Sequence, residues 1–80
     1  MERNQIFKQL ENIFIDVFDL EDISLQDSTT ADDIEEWDSL SHIQMVVAVE
    51  KQFDIKFTAL EIMSWKNVGQ LVDTIEKRLE

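Results

Sequence analysis

The stretch Glu36-Trp37-Asp38-Ser39-Leu40-Ser41-His42-Ile43 separates two kinds of sequence. Before it, Asp19 to Asp38 is acidic and rich in Ser and Thr, with only scattered apolar residues: Leu20, Ile23, Leu25, Ala31, Ile34 and Trp37. After it, apolar residues recur at helical spacing. Leu40, Ile43, Val46, Val47 and Phe53 are expected to form the buried face of a helix that starts at Asp38 or Ser39 and ends near Phe53-Asp54. Either Asp38 or Ser39 can cap that helix. A phosphate carried on Ser39 would lie at the positive end of the helix dipole, close to unpaired backbone N–H groups. An exposed serine at that place suits the attachment of a phosphate-linked group.

Outward from this boundary the chain reads as helical throughout. Ile6, Leu10, Ile13, Phe14 and Val17 form one stripe of a helix over Glu2 to Phe18, flanked by Phe7 and Phe18. Thr58-Ala59-Leu60-Glu61 is a capping box that opens a short third helix. Asn67-Val68-Gly69-Gln70 repeats that reciprocal pattern in weaker form and opens a last helix, with Val68, Leu71, Val72, Ile75 and Leu79 on one face. Proline is absent, Gly69 is the one glycine, and no Asn-Gly or Asp-Gly pair occurs, so hairpins are disfavoured. Ile55-Lys56-Phe57 alternates like a strand but has no partner. The expected fold is all-α: one domain over residues 1–80, a four-helix bundle with a long first loop and a short third helix.

Composition narrows the function. The chain has 7 basic and 18 acidic side chains, a net charge of −11, which argues against nucleic acid and anionic membranes as partners. Proteins with basic docking patches suit it better. It has no Cys, so disulfides and thiolate chemistry are excluded. No signal peptide is visible and no run approaches the ~20 apolar residues that span a bilayer. The expected location is the cytoplasm, and the expected state a monomer.

Two catalytic or metal readings fail on residue types. A serine hydrolase needs a base, an orienting acid and an oxyanion hole. The one histidine, His42, lies three residues after Ser39 on the same helix, and the glycines of a nucleophile elbow are missing. His42 is instead expected as an exposed helix residue or docking contact. A calcium loop starting at Asp27 places Ala31 at its fifth position and Asp32 where Gly is required, and one starting at Asp16 places Phe18 in the third. No metal site is expected.

The block around Asp38-Ser39-Leu40 resembles the prosthetic-group site of acyl carrier proteins and peptidyl carrier domains. The ending Glu50-Lys51-Gln52-Phe53-Asp54-Ile55 is similar to that family's Glu-x-x-Phe-x-Ile, at matching distance from the serine. The resemblance runs from the first helix to Val68-Gly69-Gln70-Leu71. It implies a carrier that is not itself an enzyme. Ser39 would hold covalent 4′-phosphopantetheine, whose thiol carries acyl groups as thioesters in fatty-acid, polyketide or specialised lipid synthesis. Asp38 would help present Ser39 to a phosphopantetheinyl transferase and bind the Mg²⁺ that enzyme uses, and Leu40 would be a docking contact. Other implied partners are an acyl-loading ligase or synthase and downstream acyl-transfer enzymes. Trp37, His42, Met45, Val49 and Glu50 are expected at the docking surface, with Met45 and Val49 partly exposed. Val46, Phe53, Ile62, Trp65 and Val68 are expected to border an acyl pocket, where Trp65 is either a core plug or a residue that shortens the cavity. A discrete aminoacyl carrier is the near alternative. A non-carrier acidic helical adaptor, with Ser39 only a cap, is the alternative from a different class.

Two departures from the family bear on partners. Glu36 stands where carriers of primary fatty-acid synthesis usually have Gly, and the Trp-Asp-Ser-Leu form is more similar to stand-alone carriers of specialised pathways and to some peptidyl carriers. Ser41, Gln44 and Lys51 stand on the helix face that is strongly acidic in the primary carriers.

Overall fold

The computed structural model describes all residues, 1–80. It contains helices α1 (Arg3–Phe18), α2 (Ser39–Phe53), α3 (Ala59–Ser64) and α4 (Val68–Leu79), and no strand. The long first connection holds one 3-10 turn, Ala31–Asp33. The four helices, their order and the short third helix match the sequence reading.

Helix ends follow from local chemistry. Thr58 and Glu61 form the capping box of α3, with the Thr58 N–H donating to Glu61 Oε1 at 2.9 Å and the Glu61 N–H to Thr58 Oγ1 at 3.2 Å. At α4 the box is only half made. The Gln70 N–H donates to Asn67 Oδ1 at 2.9 Å, but the Gln70 side chain accepts from the Lys66 N–H at 2.7 Å rather than from Asn67. Helices α1 and α2 both end on an aspartate in the left-handed region, Asp19 and Asp54, each at φ 55°. Aspartate tolerates that conformation better than most residues, and the C-cap N–H groups return to Ile15 O and Glu50 O.

The core is one cluster. It joins Ile6, Leu10, Ile13, Phe14 and Phe18 of α1 to Met45, Val46, Val49 and Phe53 of α2 and to Val68, Leu71, Val72 and Ile75 of α4, with Leu25 and Ile34 added from the first loop. Helix α1 lies against both α2 and α4. The buried face of α2 differs from the expected one. Leu40, Ile43 and Val47 are exposed, by 70%, 52% and 45%, whereas Met45 and Val49 are fully buried. Apolar residues occupy most positions from Ile43 to Val49, so two stripes satisfy helical spacing, and tertiary contacts select between them.

The first loop is pinned to α4 and α1. Near its middle, the Val68 N–H donates to Thr29 O at 2.8 Å and the Gly69 N–H to Asp27 O at 2.9 Å, so the loop satisfies donors that the start of α4 leaves unpaired. Arg3 adds an ionic tie. Its guanidinium meets Asp27, Asp73 at 2.9 Å, and Glu76, joining α1, loop and α4. The hydrogen bond to Asp27 is the first cause of a raised Arg3 pKa, with burial opposing it. Helix α3, which contributes no buried residue, is tied to α4 by Arg78–Glu61.

Gly69 is required by this pinning. A Cβ there would lie 2.9 Å from the Asp27 carbonyl oxygen and 3.1 Å from its Cα. Alanine's better helix propensity returns at most about 1 kcal/mol, while overpacking costs about 1–3 kcal/mol and loosens both backbone bonds. Gly69→Ala is therefore expected to lower the urea midpoint of unfolding. An unchanged or raised midpoint would show that the loop yields freely.

Candidate functional site

The N-terminus of α2 is capped by Asp38 and not by Ser39. Asp38 Oδ1 accepts from the Ser41 N–H at 2.9 Å, and the Asp38 N–H donates to Ser41 Oγ at 2.8 Å. Ser41 Oγ also lies 2.9 Å from the Glu36 carbonyl, to which it can donate its proton. The Ser41 N–H, and then its hydroxyl, hold the Asp38 carboxyl below the ordinary aspartate range. Asp38 is thus firmly ionised at neutral pH. Ser39 occupies the first helical position, exposed, with the cap made by its neighbours. Of the two candidate caps, Asp38 makes the capping bond and Ser39 does not.

Trp37, expected at the docking surface, turns inward instead. Its ring packs edge-on against Phe14 at 5.2 Å and lies 5.8 Å from Phe18, and it stacks on His42 at 5.9 Å. Its Nε1–H donates to His42 Nδ1 at 3.0 Å. Indole can only donate, so Nδ1 accepts and the His42 proton sits on Nε2, which donates to the Ile62 carbonyl at 3.3 Å. His42 is therefore a half-buried bridge from the loop to α3, not an exposed contact.

The other expected docking residues are also relocated. Met45 and Val49 are core residues at 0% exposure, because the helix rotation set by Trp37 and His42 turns them into the core cluster. Glu50 is half-buried, and its Oε2 accepts from the Phe57 N–H at 2.8 Å, bracing the α2–α3 loop. The exposed apolar side chains near Ser39 are Leu40, Ile43 and Val47 on α2, with Leu60 and Met63 on α3.

A groove of about 620 Å³ opens beside Ser39. Its lining includes Trp37, Asp38, Ser39, His42 and Ile43 on one side and Ile62, Met63, Trp65, Lys66 and Asn67 on the other. Of the five residues expected around an acyl pocket, Ile62 and Trp65 line this groove. Val46, Phe53 and Val68 lie in the core, at most 7% exposed, and do not line it. Their apolar character was legible but not their depth. Ile43, Met63, Lys66 and Asn67 were not anticipated at the groove, and no local motif marks them. They meet only because α2, α3 and the start of α4 converge there. No three His, Cys, Asp or Glu side chains are placed to hold a metal ion. No helix is long and apolar enough to cross a membrane.

The chain matches the family model for the phosphopantetheine attachment site over residues 8–75. It is 32% identical to an acyl carrier protein of Coprothermobacter proteolyticus over 80 residues, covering 99% of this chain and 96% of that one. The solution structure of holo acyl carrier protein from Geobacter metallireducens superposes with a TM-score of 0.85 at 44% identity, covering 91% of this chain and 84% of the other.

The cap geometry carries a pH signature. Because the folded-state pKa of Asp38 is depressed, its stabilising contribution is complete above the unfolded-state value and is lost as pH falls through the lower folded-state value. Asp38→Ala is expected to lower the thermal midpoint by a few degrees at neutral pH. The gap from wild type should close in acid. A gap that stays constant into acid would mean the carboxylate is not the capping group.

Proposed function

The chain belongs to the acyl carrier protein family, a family of carriers rather than enzymes, and from that premise we propose that Ser39 is the residue that bears its covalent 4′-phosphopantetheine. The observation that carries this reading is the exposed Ser39 hydroxyl at the first position of α2, outside the cap made by Asp38 and Ser41 and beside an apolar groove. The residues fit the group. The hydroxyl is accessible, the positive end of a 15-residue helix faces an attached phosphate, and the groove offers an apolar wall to an arm. When bound, the group supplies the thiol that this Cys-free chain lacks, on which acyl cargo is held as a thioester. Asp38, kept ionised by Ser41, is suited to meet the Mg²⁺ that a phosphopantetheinyl transferase brings.

Partners are proposed to dock on Leu40, Ile43, Val47 and Met63, the exposed apolar side chains of α2 and α3 around Ser39. Ser41, Gln44 and Lys51 leave that face of α2 with little negative charge, which favours apolar contact over charge pairing as the main source of docking affinity. That surface fits acyl-loading and acyl-transfer enzymes of a specialised lipid or polyketide pathway better than the general fatty-acid synthase, and a cytoplasmic site of action. Both relatives named above are acyl carriers, which favours an acyl over an aminoacyl cargo.

Incubation with coenzyme A, Mg²⁺ and a broad-specificity phosphopantetheinyl transferase is expected to add one phosphopantetheine to the wild type and none to Ser39→Ala, read by intact mass. Modification of Ser39→Ala would move the attachment site elsewhere. Ile43→Asp, with helix content unchanged, is expected to lower kcat/KM for that transfer by about tenfold or more, the value of burying one aliphatic side chain. Unaltered kinetics would remove α2's apolar face from docking.

A further inference from the structure

The α2–α3 groove is bounded toward the core by Trp65, with Leu71 of α4 beside it in the lining. Trp65 closes α3, half-buried and packed against the core cluster. Its indole N–H donates to Thr74 Oγ1 of α4 at 2.9 Å, and the Thr74 hydroxyl donates onward to the Gln70 carbonyl at 3.1 Å. Phe57 meets the ring edge-on at 4.9 Å, and His42 edge-on at 6.2 Å. The ring is therefore held at once from α2, from the α2–α3 loop and from α4. The core that it packs against is full, with Val46, Val49, Val68 and Val72 at most 3% exposed.

We propose that Trp65 closes the inter-helical core to cargo, so that this carrier holds short acyl groups in the open groove instead of sheltering long ones between its helices. The proposal rests on the reading of Ser39 as the attachment residue. The groove beside Ser39 is lined by Ile43, Ile62 and Trp65, with Leu71 of the core, whereas Val46, Val49, Val68 and Val72 do not line it, so the indole stands between an acyl chain in the groove and those valines. Opening that path requires breaking the bond to Thr74 and removing the ring from Phe57, and leaves a polar indole N–H without its partner. A short acyl chain has too few methylenes to offset this, and it gains the groove's apolar wall without moving the ring. A long chain either displaces Trp65 or stays in water. Trp65 is thus a specificity-determining residue that acts by occupying space, and Thr74 positions it.

The test uses the acylated protein, loaded from butyryl- and from dodecanoyl-coenzyme A by the transferase and checked by intact mass. Cleavage of each thioester by neutral hydroxylamine is then compared with that of the free acyl-pantetheine. In the wild type, butyryl and dodecanoyl forms are expected to react alike and close to the free thioesters. Trp65→Leu is expected to slow cleavage of the dodecanoyl form by about fivefold or more, since each methylene taken into the core shifts the balance toward the sheltered form roughly fourfold. The butyryl form should not change. Strong protection of dodecanoyl in the wild type would overturn the proposal, and so would a folded Trp65→Leu that protects neither. If Trp65→Leu does not fold, the wild type still decides. Amide NMR shifts of Val46, Val68 and Val72 should be the same in the butyryl and dodecanoyl forms, and displacement of those signals by the longer chain would overturn the proposal. Absence of any mass gain overturns the attachment reading itself, a failure seen before any cleavage rate is measured.

Discussion

The inward turn of Trp37 is the constraint on which the rest of the site depends. A twenty-residue acidic loop has little apolar surface of its own, so its end must be fixed by something larger than Leu20 or Ile23. Trp37 supplies that anchor against Phe14 and Phe18 of α1. Because the next residue is the cap of α2, fixing Trp37 also fixes where the helix begins. Because Trp37 donates to His42 one turn into the helix, it also fixes the rotation of α2 about its axis. That rotation buries Met45, Val46 and Val49, exposes Leu40, Ile43 and Val47, and leaves Ser39 exposed at the mouth of the groove.

What could be read in the sequence was what local chemistry decides. Thr58 and Glu61 fix the start of α3 through their own backbone, and Asp38 does the same for α2, so those boundaries follow from residue type. The stripes of α1 and α4 were legible because their polar faces are polar: only one rotation buries Ile6, Leu10 and Phe14, or Leu71, Val72 and Ile75. Helix α2 lacks that contrast. With Ile43, Met45, Val46, Val47 and Val49 all apolar, periodicity admits two faces, and the deciding contact comes from Trp37, outside the helix. The half-made Asn67 box has a similar cause, since Gln70 Oε1 found the Lys66 N–H one residue away and nothing in the spacing distinguishes the two donors. The pairing of Asp27 and Thr29 with the start of α4 joins residues about forty positions apart, which no local pattern reports.

The negative charge is divided between two tasks. Part of it is used internally. Arg3 gathers Asp27, Asp73 and Glu76, and Arg78 takes Glu61, so two of the seven basic residues hold four carboxylates at helix junctions. These pairs are partly exposed, and their worth lies less in Coulomb energy than in joining elements that share little apolar contact, α3 above all. The remainder stays on the surface, concentrated in the loop that ends at Ser39.

That surplus charge and the apolar face of α2 and α3 make sense together. Leu40, Ile43, Val47, Leu60 and Met63 all stand at 45% exposure or more on an 80-residue chain, a composition that would invite self-association in a neutral protein. At −11, two copies approaching face to face repel before their apolar patches meet, whereas a partner with a basic rim is drawn in. Under the docking proposed above, charge selects who approaches, and the apolar face holds what has arrived. A carrier must be released after each transfer, so a small apolar contact reached by long-range attraction suits it better than a network of buried ion pairs. Such pairs make their contribution at short range and mainly slow departure. The internal use of Glu50, and of Asp38 at the cap, fits this division: near Ser39, acidic groups position the helix, and the proposed docking face is left to side chains that can separate cleanly from a partner.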